Sequence, residues 1–284
     1  MIRLSAGEWS AEVRPELGGA VTALRKGGRD VLRPTPEGAT DPLETACFPL
    51  TPYANRIANG RFVLDGREVV IPTLPAFAPH ALHGDGWLKA WSVESAAPDR
   101  VVLTLAGGCD ASWPWSYEAR QAIALVDEGL EIVLQMTNVS GEVMPAGLGL
   151  HPYFPRPAGT RLSAVTTGVW TGPDIVPDRL APPAEVADWV GQEVDAAVAA
   201  VTLIDNAYEG WNGVVELADA DGVTQMSADV ARLHVYAPPV GDFCCLEPVS
   251  QRPDAFNQER PGRGGYRLLG PGETLSLSMK VSRT

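Results

Sequence analysis

Cysteine and positive charge are both scarce in this sequence, and each scarcity excludes something. The four cysteines, Cys47, Cys109, Cys244 and Cys245, have no metal-ligand spacing, and two are adjacent. Neither a zinc site nor a disulfide framework is indicated; reduced, mostly buried thiols are expected. Lys and Arg number 22 against 35 Asp and Glu, a net charge of −13. That field repels phosphate backbones and anionic bilayers, so neither nucleic acid nor a membrane is expected as a partner. It also mildly disfavours an anionic metabolite, unless local arginines override it. No apolar run approaches the roughly 18 residues of a membrane span, and residues 1–9 lack the apolar stretch of an export signal. A cytoplasmic protein is expected. Nucleotide-binding glycine loops and His/Cys/carboxylate clusters at ligand spacing are also missing, so no cofactor and no metal are expected.

What is present is a packing composition: 284 residues, 45% hydrophobic and 20% charged, near the average for globular proteins. Short stretches of period-2 alternation between turn residues predict antiparallel strands. Residues 61–71 read as a hairpin turning at Asp65-Gly66, a pair suited to a type I′ turn. Residues 117–126 and 130–138 form a second hairpin around residues 127–129. Further strands are expected over 101–105, 214–217, 233–236 and 274–281. Only residues 194–201 read as a helix. The 29 glycines and 25 prolines are spread as turns, and Pro173 to Pro183 reads as a surface loop. The expectation is all-β, with residues 1–284 as one domain.

Four segments could carry chemistry. In Gly147-Leu148-Gly149-Leu150-His151-Pro152 an extended chain puts both glycines and His151 on one face, which reads as a glycine-floored cleft beside an imidazole. Pro152 should end strand pairing there. By residue type alone His151 fits a hydrogen-bonded structural role as well as a catalytic one. In Phe243-Cys244-Cys245-Leu246-Glu247-Pro248, Glu247 shares a face with Phe243 and Cys245, a partly dry setting that raises a carboxylate toward a useful base; a surface ion pair is the alternative. Asn55 and Arg56 place an amide beside a guanidinium that suits polyol oxygens, with Arg61 nearby as a solvated loop residue. His83 stands in a glycine-rich loop, Leu82-His83-Gly84-Asp85-Gly86-Trp87, and His80 reads as ordinary loop.

In this order, Asn55-Arg56 with Gly60-Arg61-Phe62, Leu82-His83-Gly84, His151-Pro152-Tyr153-Phe154, Glu247-Pro248 and the closing Leu269-Gly270-Pro271-Gly272-Glu273-Thr274 resemble the aldose 1-epimerase (galactose mutarotase) family, from about the third strand to the C-terminus. The resemblance implies a β-supersandwich with an open sugar cleft, acting on a monosaccharide as a monomer or homodimer. It implies Glu247 as general base, His151 as general acid, and His83, Arg56, Asn55 and Asp205 as substrate-binding residues. Around Asp205 the flanking residues depart from the best-known galactose enzymes.

The implied reaction interconverts the α and β anomers of a free aldose such as galactose or glucose. Glu247 takes the C1 hydroxyl proton and His151, as imidazolium, protonates the ring oxygen; rotation about C1–C2 then exposes the other carbonyl face. Trp87, Trp113 and Tyr153 could stack on the sugar or belong to the core. The alternatives are a hexose-6-phosphate 1-epimerase of the same fold, which would use cations such as Arg156, Arg161 or Arg232, and a non-catalytic sugar-binding protein. A glycoside hydrolase, with its two carboxylates, fits less well.

Overall fold

A computed structural model describes residues 1–173, 175–257 and 265–284. Among these, two large antiparallel sheets dominate, one of eleven strands and one of nine, with three two-stranded ladders beside them. The nine-stranded sheet is built on the long pair Tyr117–Val126 and Gly129–Asn138, joined by Asp127-Glu128, with Thr274–Arg283 alongside. The hairpin Arg61–Leu64 and Arg67–Val70 turns at Asp65 and Gly66, both with positive φ, as the type I′ reading requires. Among the described residues the one α-helix covers Val194–Val201, and no helix is long and apolar enough to cross a membrane.

Alternation decides where the core lies. In Arg100–Gly107 and Tyr117–Val126 every second side chain is buried, as expected of a sheet with one wet face. Val101, Leu103, Ile123, Ile132 and Leu134 meet Leu4, Val13, Leu24 and Leu150 of the larger sheet in one continuous apolar cluster. Full burial of each such aliphatic side chain contributes about 1.5–3 kcal/mol.

The centre of the larger sheet is buried on both faces, and its strands lie in the order Cys47–Leu50, Gly149–Pro155, Phe243–Pro248, Arg232–Ala237, Ile204–Glu209. Cys47, Leu150, Phe154, Cys244, Leu246, Leu233 and Val235 enter the core between the sheets. The alternate residues Phe48, Tyr153 and Cys245 pack in a second cluster on the other face. His151, His234 and Glu247 share that second face, because successive side chains of a strand point oppositely.

Three sequence expectations need correction. Pro152 does not end the strand: residues Gly149 to Pro152 pair with Cys47 to Leu50, and Tyr153 to Pro155 go on to pair with Phe243 to Cys245. His151 is therefore mid-strand. Gly147 and Gly149 do not floor a cleft; a Cβ on Gly147 would strike the Gln251 side chain, and one on Gly149 would crowd Val249 and Leu50. The close approach is by the protein's own side chains. The stretch from Pro173 to Pro183, of which Asp174 lies outside the described residues, is not all loop, since Arg179–Ala181 pairs with Gly168–Thr171 at the sheet edge. Cys47, Cys244 and Cys245 are buried free thiols, as expected, while Cys109 is exposed.

Candidate active site

Over the second face of the larger sheet lies an open cleft of about 430 Å³. The strands supply His151, Tyr153, Glu247, His234 and Asp205, and a short ladder, Arg56–Ile57 against Ala81–Leu82, brings Asn55, Arg56 and His83 over them. All six residues singled out for the site, Asn55, Arg56, His83, His151, Asp205 and Glu247, line this cleft.

His151 Nε2 lies 3.3 Å from Glu247 Oε1, with both side chains buried. The imidazole plane is held between Phe48 and Tyr153, stacked at 4.6 and 4.7 Å, because Phe48 is its cross-strand partner and Tyr153 its same-face neighbour. Among the described residues Glu247 Oε2 has no hydrogen-bond partner. His83 has φ +60, which the following Gly84 continues at +71. A Cβ at Gly84 would sit 2.3 Å from the Thr51 carbonyl oxygen, so the turn that presents His83 needs glycine. The Asn55 backbone N–H donates to His83 Nδ1 at 3.0 Å, which leaves the neutral ring's proton on Nε2 as a donor.

A second charged group faces the first. His234 Nε2 lies 2.7 Å from Asp205 Oδ1, Arg56 Nη2 donates to Asp205 Oδ2 at 3.2 Å, and the Asn55 amide lies 3.2 Å from His234 Nδ1. His234 also opposes Glu247 across the sheet.

Burial works against charge on every one of these groups, and their partners decide the outcome. It drives His151 down to about 3 and His83 well below the ordinary imidazole value, and lifts Glu247 to about 7. Burial also opposes charge on His234, but Glu247 and Asp205 raise it overall. For Asp205 burial is again outweighed, by the His234 hydrogen bond and by the charges of His234 and Arg56, which hold it at about 2. Asp205 is thus held ionised between Arg56 and His234, whose protonated form it favours, whereas His151 and Glu247 below about pH 7 share one proton. Enclosed and stacked between two aromatics, the resting His151 ring is held toward its neutral form.

The sequence reading missed His234 and Arg33, which also lines the cleft. For His234 a signal existed: a histidine alternating with Leu233 and Val235 in a strand shares its face with Tyr236. The reading also missed that His83, His151 and Glu247 converge, their ligand atoms within 4.8 Å of one another, an arrangement that could hold a metal ion. Sequence spacing hides it because the three come from distant segments. Other candidates move away from the cleft. Trp87 is buried against Phe48, and Trp113 lies in the core with Tyr53; of the three aromatics only Tyr153 lines the cleft. Arg156 bonds the carbonyls of Pro238 and Gly241 and pairs with Asp195, Arg232 pairs with Glu209, and Arg161 bonds the Gly191 carbonyl. His80 is no ordinary loop residue, since it is buried and its Nδ1 accepts from the Asn59 N–H.

A supersandwich of antiparallel sheets with this cleft on one face is the galactose mutarotase-like class of fold. The family model described as Aldose 1-epimerase matches residues 1–282, more of the chain than the sequence motifs alone covered, and the chain belongs to that family. It is 32% identical to the Escherichia coli K12 protein YphB over 98% of this chain and 97% of that one. A crystal structure of an E. coli K12 protein superposes with a TM-score of 0.88 at 28% identity, covering 99% of this chain and 98% of the other. A galactose mutarotase-like protein from Clostridium acetobutylicum gives 0.86 at 20% identity, with 99% and 94% covered, and shares the fold.

Proposed function

We propose that this protein is an aldose 1-epimerase that interconverts the anomers of a free aldopyranose, with residues 1–284 acting as one domain. The observation that carries the reading is the buried His151–Glu247 pair, 3.3 Å apart, in a cleft that Asp205, Arg56 and His83 also line. The C1 hydroxyl donates to Glu247. The shared proton passes to His151, which delivers it to the ring oxygen as the C1–O5 bond breaks and the C1 hydroxyl proton moves to Glu247. Rotation about C1–C2 and reversal of these transfers close the ring on the other carbonyl face. His234 and Arg56, both near Glu247 and acting to favour its charged form, stabilise the carboxylate in the reactive tautomer. Asp205 and Arg56 hold hydroxyls, and His83 Nε2–H donates to an oxygen on which charge develops.

The arginines that a sugar phosphate would need, Arg156, Arg161 and Arg232, are engaged elsewhere, which supports a free sugar. A carboxylate raised to about 7 beside an imidazole supports catalysis over binding alone. The test is the rate of approach to anomeric equilibrium, by polarimetry or NMR exchange, across a panel of free and phosphorylated aldoses. Acceleration above the spontaneous rate is expected, with free sugars ahead of their 6-phosphates; no acceleration of any aldose overturns the reading.

Two further outcomes follow from the proton count. Activity should fall as pH rises above about 7, because Glu247 then gives up the one proton the pair shares and no acid remains. The check is a pH profile of kcat corrected for background mutarotation. A rate still climbing to pH 9 would contradict it. Activity should also survive exhaustive chelation, because a metal on His83, His151 and Glu247 would occupy the atoms that move the proton. Loss with EDTA and recovery with a divalent ion would reverse that conclusion.

A further inference from the structure

We propose that the aldose this cleft takes carries a carboxylate on C6, making it a hexuronic acid, and that Arg33 binds that carboxylate; the proposal rests on the epimerase reading above. Arg33 is half-buried in the cleft wall. Its guanidinium carbon lies 3.8 Å from the ring centre of Tyr153 and 4.6 Å from that of Phe243. Its Nη2 donates to the carbonyls of Leu43 and Thr45, at 2.7 and 2.9 Å. Among the described residues no carboxylate is ion-paired with it, and its Nη1 makes no hydrogen bond. The other ionisable groups of the cleft each have a side-chain partner: Arg56 and His234 meet Asp205, and Glu247 faces His151. A guanidinium keeps its charge at any ordinary pH, so Arg33 remains a cation with an open donor.

The chemistry of the ring says what would reach it. In a pyranose C1 is bonded to O5 on one side and C2 on the other. If Glu247 takes the C1 hydroxyl and His151 protonates O5, then C2 and its hydroxyl turn toward His234 and Asp205. C5 and its exocyclic C6 turn toward His151. One residue pair along the same strand from His151 is Tyr153, its ring stacked at 4.7 Å, and Arg33 lies on that ring. A substituent on C6 therefore points at Arg33. Among the described residues two of the Arg33 nitrogens lack a partner, but Nε is buried, so Nη1 is the donor left to the cleft beside Leu43 and Phe243; that suits a monoanion, whereas a phosphate dianion calls for several donors and meets more of the −13 field.

The test compares kcat/KM for anomerisation of glucuronate and galacturonate with that for glucose, galactose and glucose 6-phosphate, in the wild type, Arg33→Gln and Arg33→Lys. The wild type should favour the uronates over the neutral hexoses by about tenfold or more, the worth of one charge-assisted hydrogen bond. That ratio should fall toward one in Arg33→Gln and be partly kept in Arg33→Lys. In the wild type alone, added salt should raise KM for glucuronate and leave that for glucose unmoved, a readout that survives if Arg33→Gln does not fold. Preference for a neutral hexose or for the 6-phosphate overturns the proposal. So does an equal loss on acidic and neutral sugars in Arg33→Gln, which would make Arg33 only a clamp on the Leu43 and Thr45 carbonyls. If no aldose at all is accelerated, the epimerase reading itself fails; if neutral hexoses are fastest, only this inference does.

Discussion

Glu247→Gln and His151→Asn should each lower kcat for anomerisation by about 10²–10⁴-fold, the usual range of general acid–base catalysis, with sugar affinity nearly intact. Both replacements keep a polar side chain of similar size and remove the proton transfer, so the loss belongs in kcat more than in binding. Because the two groups share one proton across 3.3 Å, the double variant should be scarcely worse than either single one. His83→Asn should cost less, since water or a neighbouring donor can partly replace a hydrogen bond that only steadies charge. The measurement is exchange NMR at saturating sugar, beside a binding titration and a check that each variant is folded. Near-wild-type kcat in Glu247→Gln, or a greater loss at His83 than at His151, would show the base and acid to be misassigned.

Asp205→Asn should destabilise the fold by about 2–3 kcal/mol at neutral pH, the linkage expected of a carboxyl held near 2. The mechanism is the trio itself: Asp205 is nearly buried between His234 and Arg56, and removing its charge takes from Arg56 its counter-charge in a low-dielectric site and from His234 the carboxylate that favours its protonation. Its folded pKa, about 2 against an ordinary value of 3.8, is depressed. The stabilisation is therefore present above about pH 4 and disappears as pH falls through about 2. Denaturant unfolding of wild type and variant at pH 7 and at pH 3 should show a gap that narrows in acid. A constant gap would assign the loss to packing. The same substitution should weaken sugar binding, because Arg56 loses the partner that aims it into the cleft.

Much of the architecture could be read along the chain because it is local. Alternation in residues 117–138, the Asp65-Gly66 turn and the alanine-rich helix Val194–Val201 are properties of a few neighbouring residues, and each recurs in the structure. The six site residues could be picked out for a different reason. A histidine, an arginine or a glutamate set among apolar neighbours violates the pattern around it, and such violations gather where function opposes packing. His234 has the same signature in Leu233-His234-Val235. It passed unnoticed because nothing adjacent distinguishes it from a core histidine.

The sequence by itself determined the strand pattern, the turns and the residue types available for acid–base chemistry, since periodicity and turn preference need only nearest neighbours. Tertiary structure alone decided which of those residues meet. Order across the larger sheet brings Asp205 within hydrogen-bond reach of His234 and pairs 234 with 247 and 151 with 48, and no local rule sets that order. It also decided their protonation, because burial and facing charges come from strands far apart in the chain: the same side chain is neutral as His151 and inclined to charge as His234. Finally, it decided that Gly147 and Gly149 serve packing and that Arg33 reaches the cleft. Both are matters of what lies across a sheet or over a strand, and a linear pattern carries no record of that.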